Sequence, residues 1–224
     1  FSLSLFLGGI VFFMTANYGN FLDVSDTQAY FAIAKNLIRY HGFYLDYSAG
    51  PQAGEMPIFP LFTAFFYWII PKLGFVIMMQ NIVSAASVIL VFHLGKMVVG
   101  KKTAVLAAVL FALDSQRLYF ANQLMTETLF TFFLLLSFYF FIKFEFISPK
   151  KHLKFFILSC LFLGASSLTR PASYYFILFF ITYLVARGIW KKEVWRYLKY
   201  SVFAVLIFFA ALSPWLIRNK IHFN

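Results

Sequence analysis

Apolar runs alternate with short basic clusters along the whole chain. Seven of them, 1–16, 75–99, 103–118, 126–142, 155–169, 171–186 and 201–217, read as membrane-crossing helices. One stretch breaks the pattern: residues 22–42, LDVSDTQAYFAIAKNLIRYHG, mix polar and apolar positions. Ser25 has the form of an N-cap and Gln28, three residues on, completes a capping box, which predicts a helix from Asp26 to near Gly42. Tyr30, Ile33, Ala34, Leu37 and Ile38 then fall on one buried stripe, with Gln28, Lys35 and Arg39 opposite, the pattern of a helix lying on a membrane surface. Asp26 sits one turn before Tyr30, at the head of that stripe. The next segment, FYLDYSAGPQAGEM, reads as irregular loop and carries Asp46 and Glu55. After it PIFPLFTAFFYWII is apolar but spans only 14 residues before Pro71, the length of an interfacial or re-entrant piece.

Charge settles how that short piece is read. If 57–70 does not cross, the seven helices place three Lys/Arg clusters, twelve basic residues in all, on the cytoplasmic side. The loop 17–73 is then outside, and so are Asp23, Asp26, Asp46, Glu55, Asp114 and Glu127, six of the eight acids. The predicted fold is all-α: a polytopic transmembrane bundle of about seven spanning helices, one domain over 1–224, with amphipathic interfacial helices in the first outer loop. Chemistry is expected on the outer face of a cell inner or plasma membrane. A hydrophobic content of 62% and a mean hydropathy of +0.81 agree with a multi-pass membrane protein. The net charge of +11 is gathered in loops between apolar runs, which points to anionic membrane lipids and away from nucleic acid. Cys160 is the sole cysteine, so no intrachain disulfide forms. The chain begins inside an apolar run without an initiator Met and ends just after another, as expected of a fragment of a longer protein.

Nucleotide-driven and zinc chemistry have no motif here: the sequence holds neither a Gly-rich phosphate loop nor H-E-x-x-H nor Cys/His metal spacing. His41, His93, His152 and His222 are scattered. What remains is a set of ionisable residues at the outer ends of helices: Asp26, Asp114, Arg117, Glu127, Arg170 and Arg218. Charges at such depths are costly and tend to be paired or functional. Five of the six also have a plainer role. Asp26 and Glu127 suit the first turn of a helix, where they meet free N–H groups. Arg170 can snorkel to headgroups. Asp114 and Arg117, three residues apart, can neutralise each other.

The order of these features resembles the GT-C fold glycosyltransferases, in particular the group holding protein O-mannosyltransferases and the lipid A aminoarabinose transferase. SDTQAYFAIAKNL in the first outer loop, EMPIFPLF, MTETLF, LTRPASYY and a final PWLIRN carry the resemblance, which covers nearly the whole chain in order. It implies a polyprenyl-phosphate-linked sugar donor, a protein, lipid or glycan acceptor, and reaction at the outer face. It also implies that Asp26 is the essential carboxylate, Tyr30 its accompanying aromatic, Glu127 the later acid and Arg170 the basic residue before a crossing. Many members have Asp-Glu where this chain has Asp26-Thr27, and Glu-Lys-Pro where it has Glu55-Met56-Pro57. Asp23 or Glu55 is then the candidate second carboxylate, and Arg117 or Arg218 the candidate second phosphate-binding cation. The metal requirement, the sugar and the acceptor stay open.

Sugar transfer from a lipid phosphate needs an acceptor for the proton of the attacking group and a cation for the departing phosphate. Asp26 and Arg170 suit those roles, and a lipid donor accounts for the missing nucleotide motif. The competing class is a polytopic transporter or lipid flippase, in which the same charges line a path. Against it, the acids gather on one side and no crossing carries a charge near its middle, where transport sites lie.

Overall fold

The structure, a computed structural model, describes residues 1–18, 21, 25–146 and 152–223. Within them the chain is helical, in the order α1 (Ser2–Tyr18), α2 (Ser25–Tyr40), α3 (Ile58–Ile69), α4 (Leu73–Val98), α5 (Lys101–Leu113), α6 (Ser115–Ala121), α7 (Glu127–Phe146), α8 (His152–Ser167), α9 (Phe176–Trp190) and α10 (Val194–Phe223). Short 3-10 turns occupy Tyr47–Ala49 and Pro171–Tyr175. Packing divides the chain into two units, Phe1–Phe132 and Phe133–Asn224, and α7 begins in the first and continues into the second.

Among the described residues, four stretches are long and apolar enough to cross a membrane: α4, α7, α10, and α9 together with the turn that precedes it. A fifth is α5 and α6 taken as one broken span. The count of about seven is therefore not reached. The other two expected crossings, α1 and α8, are shorter apolar helices of 17 and 16 residues. The expected ends of α10 were set by hydropathy, which marks the apolar stretch rather than the helix. Its 30 residues run on into Lys/Arg-rich flanks that favour helix just as well. Pro214 inside it cannot donate to Ala210, and Ser213 Oγ supplies the missing hydrogen bond to that carbonyl at 2.8 Å.

In the first unit α4 is the hub, packing against α1, α3, α5 and α6, while α2 packs on α3. At about 1.5 Å per residue its 26 residues measure about 39 Å, more than a hydrocarbon core. Gly8 of α1 lies over Asn81 of α4 so closely that a Cβ there would collide with the Asn81 Oδ1. The chain bends by 55° between α5 and α6, at Asp114. Asp114 and Arg117, expected to neutralise each other, each serve a helix end there. The Asp114 carboxylate caps α6 by accepting from Gln116 N at 3.1 Å. Arg117 donates to the last carbonyls of α5, Phe111 O at 2.8 Å and Ala112 O at 2.9 Å, and also to Ser84 Oγ of α4.

In the second unit α10 packs on α8 and α9, and an aromatic core joins these helices with the later part of α7 through Phe144, Phe156, Phe180 and Phe208. Glu145 of α7, nearly buried, is tied to Arg187 of α9 and to Lys191 just past its end, so its charge is compensated inside the unit.

Candidate active site

The amphipathic helix forms as its periodicity predicts. Tyr30, Ile33 and Ala34 are buried, Leu37 and Ile38 half-buried, and Gln28, Lys35 and Arg39 exposed. It ends at Tyr40, near the expected Gly42, and His41, at φ 53°, takes the left-handed position just past the helix end. Asn36 then fixes the outgoing loop by donating to Tyr44 O at 2.9 Å and Leu45 O at 3.2 Å, and Gln52 N returns to Phe43 O at 3.0 Å. This fold-back brings Glu55 to α2.

Tyr30 is where the site comes together. Its ring meets the edge of the fully buried Phe59 of α3, with centroids 5.1 Å apart and planes at 78°. Its hydroxyl donates to the carboxylate of Glu55. Burial, followed by the charge and hydrogen bond of Glu55 and then the charges of Asp26 and Glu127, holds the Tyr30 phenol well above its ordinary value. Glu55 is itself raised by burial; the Tyr30 hydrogen bond opposes that rise and Asp26 adds to it. Three carboxylates from sequence positions 26, 55 and 127 thus act on one phenol. Asp26, in the first turn of α2, is exposed, whereas Glu55 and Glu127 are half-buried. Thr27, which stands where many GT-C members have an acid, is fully buried.

The remaining candidates lie elsewhere. Asp23 is outside the described residues. Arg117 is in the first unit, with its guanidinium committed to the α5 end. Arg170 is in the second unit, exposed, on a backbone fixed by Arg170 N to Ser166 O at 2.9 Å and Ser173 N to Arg170 O at 3.3 Å. Arg218 lies on α10, over the Trp215 ring at 4.8 Å, with Nη1 donating to Asn219 Oδ1 at 2.8 Å. Among the described residues, no group of three or more His, Cys, Asp or Glu side chains is placed to hold a metal ion.

Two features of the site have little sequence signal. No periodicity relates Tyr30 to Glu55, 25 positions away across an irregular loop. The loop leading to Glu127 is hydrogen-bonded to Gln80 and Asn81 of α4, whose trace in the sequence is an adjacent Gln-Asn pair inside an apolar run.

Comparison with curated proteins and with solved structures gives no match. A family model does match. It spans residues 52–217, about three quarters of the chain, and takes in Glu55, Arg117, Glu127 and Arg170, while Asp26 and Tyr30 precede it and Arg218 follows it. The model is that of the dolichyl-phosphate-mannose-protein mannosyltransferases, of GT-C type, and the chain belongs to this family of membrane glycosyltransferases.

Proposed function

We propose that the protein transfers a sugar, mannose by its family, from a polyprenyl phosphosugar to an acceptor hydroxyl at the outer face of the membrane. The observation that carries this reading is the family match over residues 52–217, and the charges of carboxylates from three separate parts of the chain, two of them at helix starts, reach Tyr30. Asp26 is the exposed member and takes the proton of the attacking hydroxyl, as a general base. The new bond forms between the acceptor oxygen and the anomeric carbon, the bond from that carbon to the phosphate oxygen breaks, and the lipid phosphate leaves with the electron pair. One displacement inverts the anomeric centre, by analogy with base-assisted glycoside hydrolysis. By its match to the family's basic residue, Arg170 is assigned the role of balancing the charge of the leaving phosphate. Glu55, held by Tyr30, and Glu127 complete the acidic side of the site.

The geometry of α3 supports an interfacial location. Its 12 residues reach only about 18 Å, too short to cross, yet Leu61, Phe65 and Trp68 are exposed along the side that does not cover Tyr30. A lipid-linked sugar is presented at that level of the membrane.

The test is transfer from labelled polyprenyl phosphomannose by full-length protein in lipid, with Asp26→Asn beside wild type. Loss of a general base costs about 10²- to 10⁴-fold in rate, whereas loss of a helix-dipole partner costs about 0.3 to 1 kcal/mol in stability. A folded Asp26→Asn protein with at least a hundredfold lower turnover is the expected result; near-normal turnover would reduce Asp26 to a helix-capping charge.

A further inference from the structure

The end of α6 and the loop that follows it hang from two adjacent side chains of α4. Gln80, fully buried, donates from Nε2 to Phe120 O at 2.8 Å and to Gln123 O at 2.7 Å. Asn81 donates from Nδ2 to Ala121 O at 3.2 Å and to Asn122 Oδ1 at 3.1 Å, besides Ile77 O of its own helix at 3.1 Å. Asn122 in turn donates to Leu118 O at 2.9 Å. From there Met125 N reaches Gln123 O at 2.8 Å, and Phe130 N reaches Thr126 O at 2.9 Å as α7 starts. The hydrogen bonds from the middle of α4 therefore reach Gln123, four residues before Glu127, and Met125 N ties the next step of the chain back to that residue.

Gln80 Oε1 and Gln123 Oε1 are buried and have no hydrogen-bond partner among the described residues. Leaving such oxygens unpaired is unfavourable, so the fold accepts that cost while holding the amide donors against the Phe120 and Gln123 carbonyls. Space is also set aside for it, since Asn81 Oδ1 fits only because residue 8 is glycine. What the pair does provide is placement: it grips a connection that has no regular structure of its own, four residues before an acid of the site.

We propose that Gln80 and Asn81 are positioning residues for the transfer reaction, fixing the chain that leads into Glu127 at the start of α7. This rests on the function proposed above. They touch no reacting atom and act through Glu127.

The experiment has two readouts, both on full-length protein in lipid. Gln80→Met keeps length and removes the amide. Amide hydrogen exchange over 120–127 should accelerate, and kcat should fall by about 10- to 100-fold, as for small misplacements of a reacting group, with the donor KM changed less than about twofold. Ser87→Ala, an equally buried substitution on the same helix whose hydroxyl bonds only to Val83 O, serves as control and should change neither. The double variant Gln80→Met with Glu127→Gln should be no slower than Glu127→Gln alone, because effects transmitted through one group do not add. Should Gln80→Met fail to fold, Gln80→Glu retains one donor while protonated and should give the same pattern at smaller size. Additive losses in the double variant, or unchanged exchange in the loop, would overturn the proposal. If wild-type protein moves no sugar while Gln80→Met still loosens the loop, the transfer reading fails and the pair is reduced to a structural tie.

Discussion

Replacing Tyr30 by Phe removes one oxygen from the centre of the site and leaves the ring, with its edge contact to Phe59, in place. The lost interaction is the hydrogen bond to Glu55, and its size depends on whether that carboxyl is ionised. A bond to a neutral acceptor contributes about 1 kcal/mol and one to a charged acceptor about 1.5–3 kcal/mol; the half-buried Glu55 belongs near the lower end, about 2 kcal/mol, because solvent still screens it. Burial and Asp26 already raise Glu55 above the ordinary carboxylate range, so its protonated form favours the fold. That contribution is fully present below the unfolded-state value of about 4.3 and is lost as pH rises through the raised folded value. Without the phenol, which works in the opposite direction, the folded value rises further, and Tyr30→Phe loses more stability than wild type as pH increases. The difference should therefore grow from about 1 kcal/mol at pH 4 to about 2 kcal/mol at pH 8. For a chain of this size that corresponds to a melting-point gap of about 2–4 °C widening to about 4–8 °C. Thermal unfolding of both proteins in the same lipid or detergent at the two pH values measures it. A gap that stays constant, or is wider at pH 4, would refute the placement of the phenol on the Glu55 carboxylate.

Three further outcomes are expected. Arg170→Ala should weaken binding of the lipid phosphosugar, and Arg170→Lys should recover part of it, since an ammonium still attracts phosphate but lacks the two-pronged donor; unchanged affinity in the Ala variant, measured by equilibrium binding, would leave Arg170 as a headgroup contact. Single cysteines at Gly54 and Lys72, on either side of α3, should react with a membrane-impermeant thiol reagent from the same side, and labelling from opposite sides would make α3 a crossing. Gly8→Ala should cost about 1–3 kcal/mol, as overpacking does, with a lower melting point, because its Cβ displaces the Asn81 side chain; an unchanged melting point would mean that Asn81 is not fixed.

Much of this architecture can be read from residue order, and the unread parts share a cause. The stripe from Tyr30 to Ile38 is a local, 3.6-residue pattern and reappears as the buried face of α2. Pro57, Pro71 and the short interval between them likewise forecast α3. The break at Asp114 left a local trace too, an Asp just before Ser-Gln-Arg in the manner of an N-cap, although hydropathy alone runs 103–118 together as one helix. By contrast, the Gln80 and Asn81 amides bond mainly to backbone carbonyls 40 and more positions away, and a carbonyl has no side-chain identity to read. For the same reason Glu55 was legible as a loop acid but not as the partner of Tyr30: the contact is made by the fold-back of 43–55, which Asn36 pins through main-chain oxygens. Arg117 shows the converse, a charge legible as a ligand-binding candidate whose donors the bend of the chain turns to α5.

The two sides of α3 face different worlds. Phe59 touches the ring that gathers the acids, while Leu61, Phe65 and Trp68 stand out on the surface with no side chain of the unit covering them fully. If acyl chains cover that surface, the helix that backs Tyr30 of the proposed site is supported from behind by a fluid whose thickness and lateral pressure vary. Catalysis in such a protein is tuned by its solvent: lengthening or unsaturating the surrounding acyl chains, at fixed donor and acceptor, becomes a means of shifting turnover without altering a single residue.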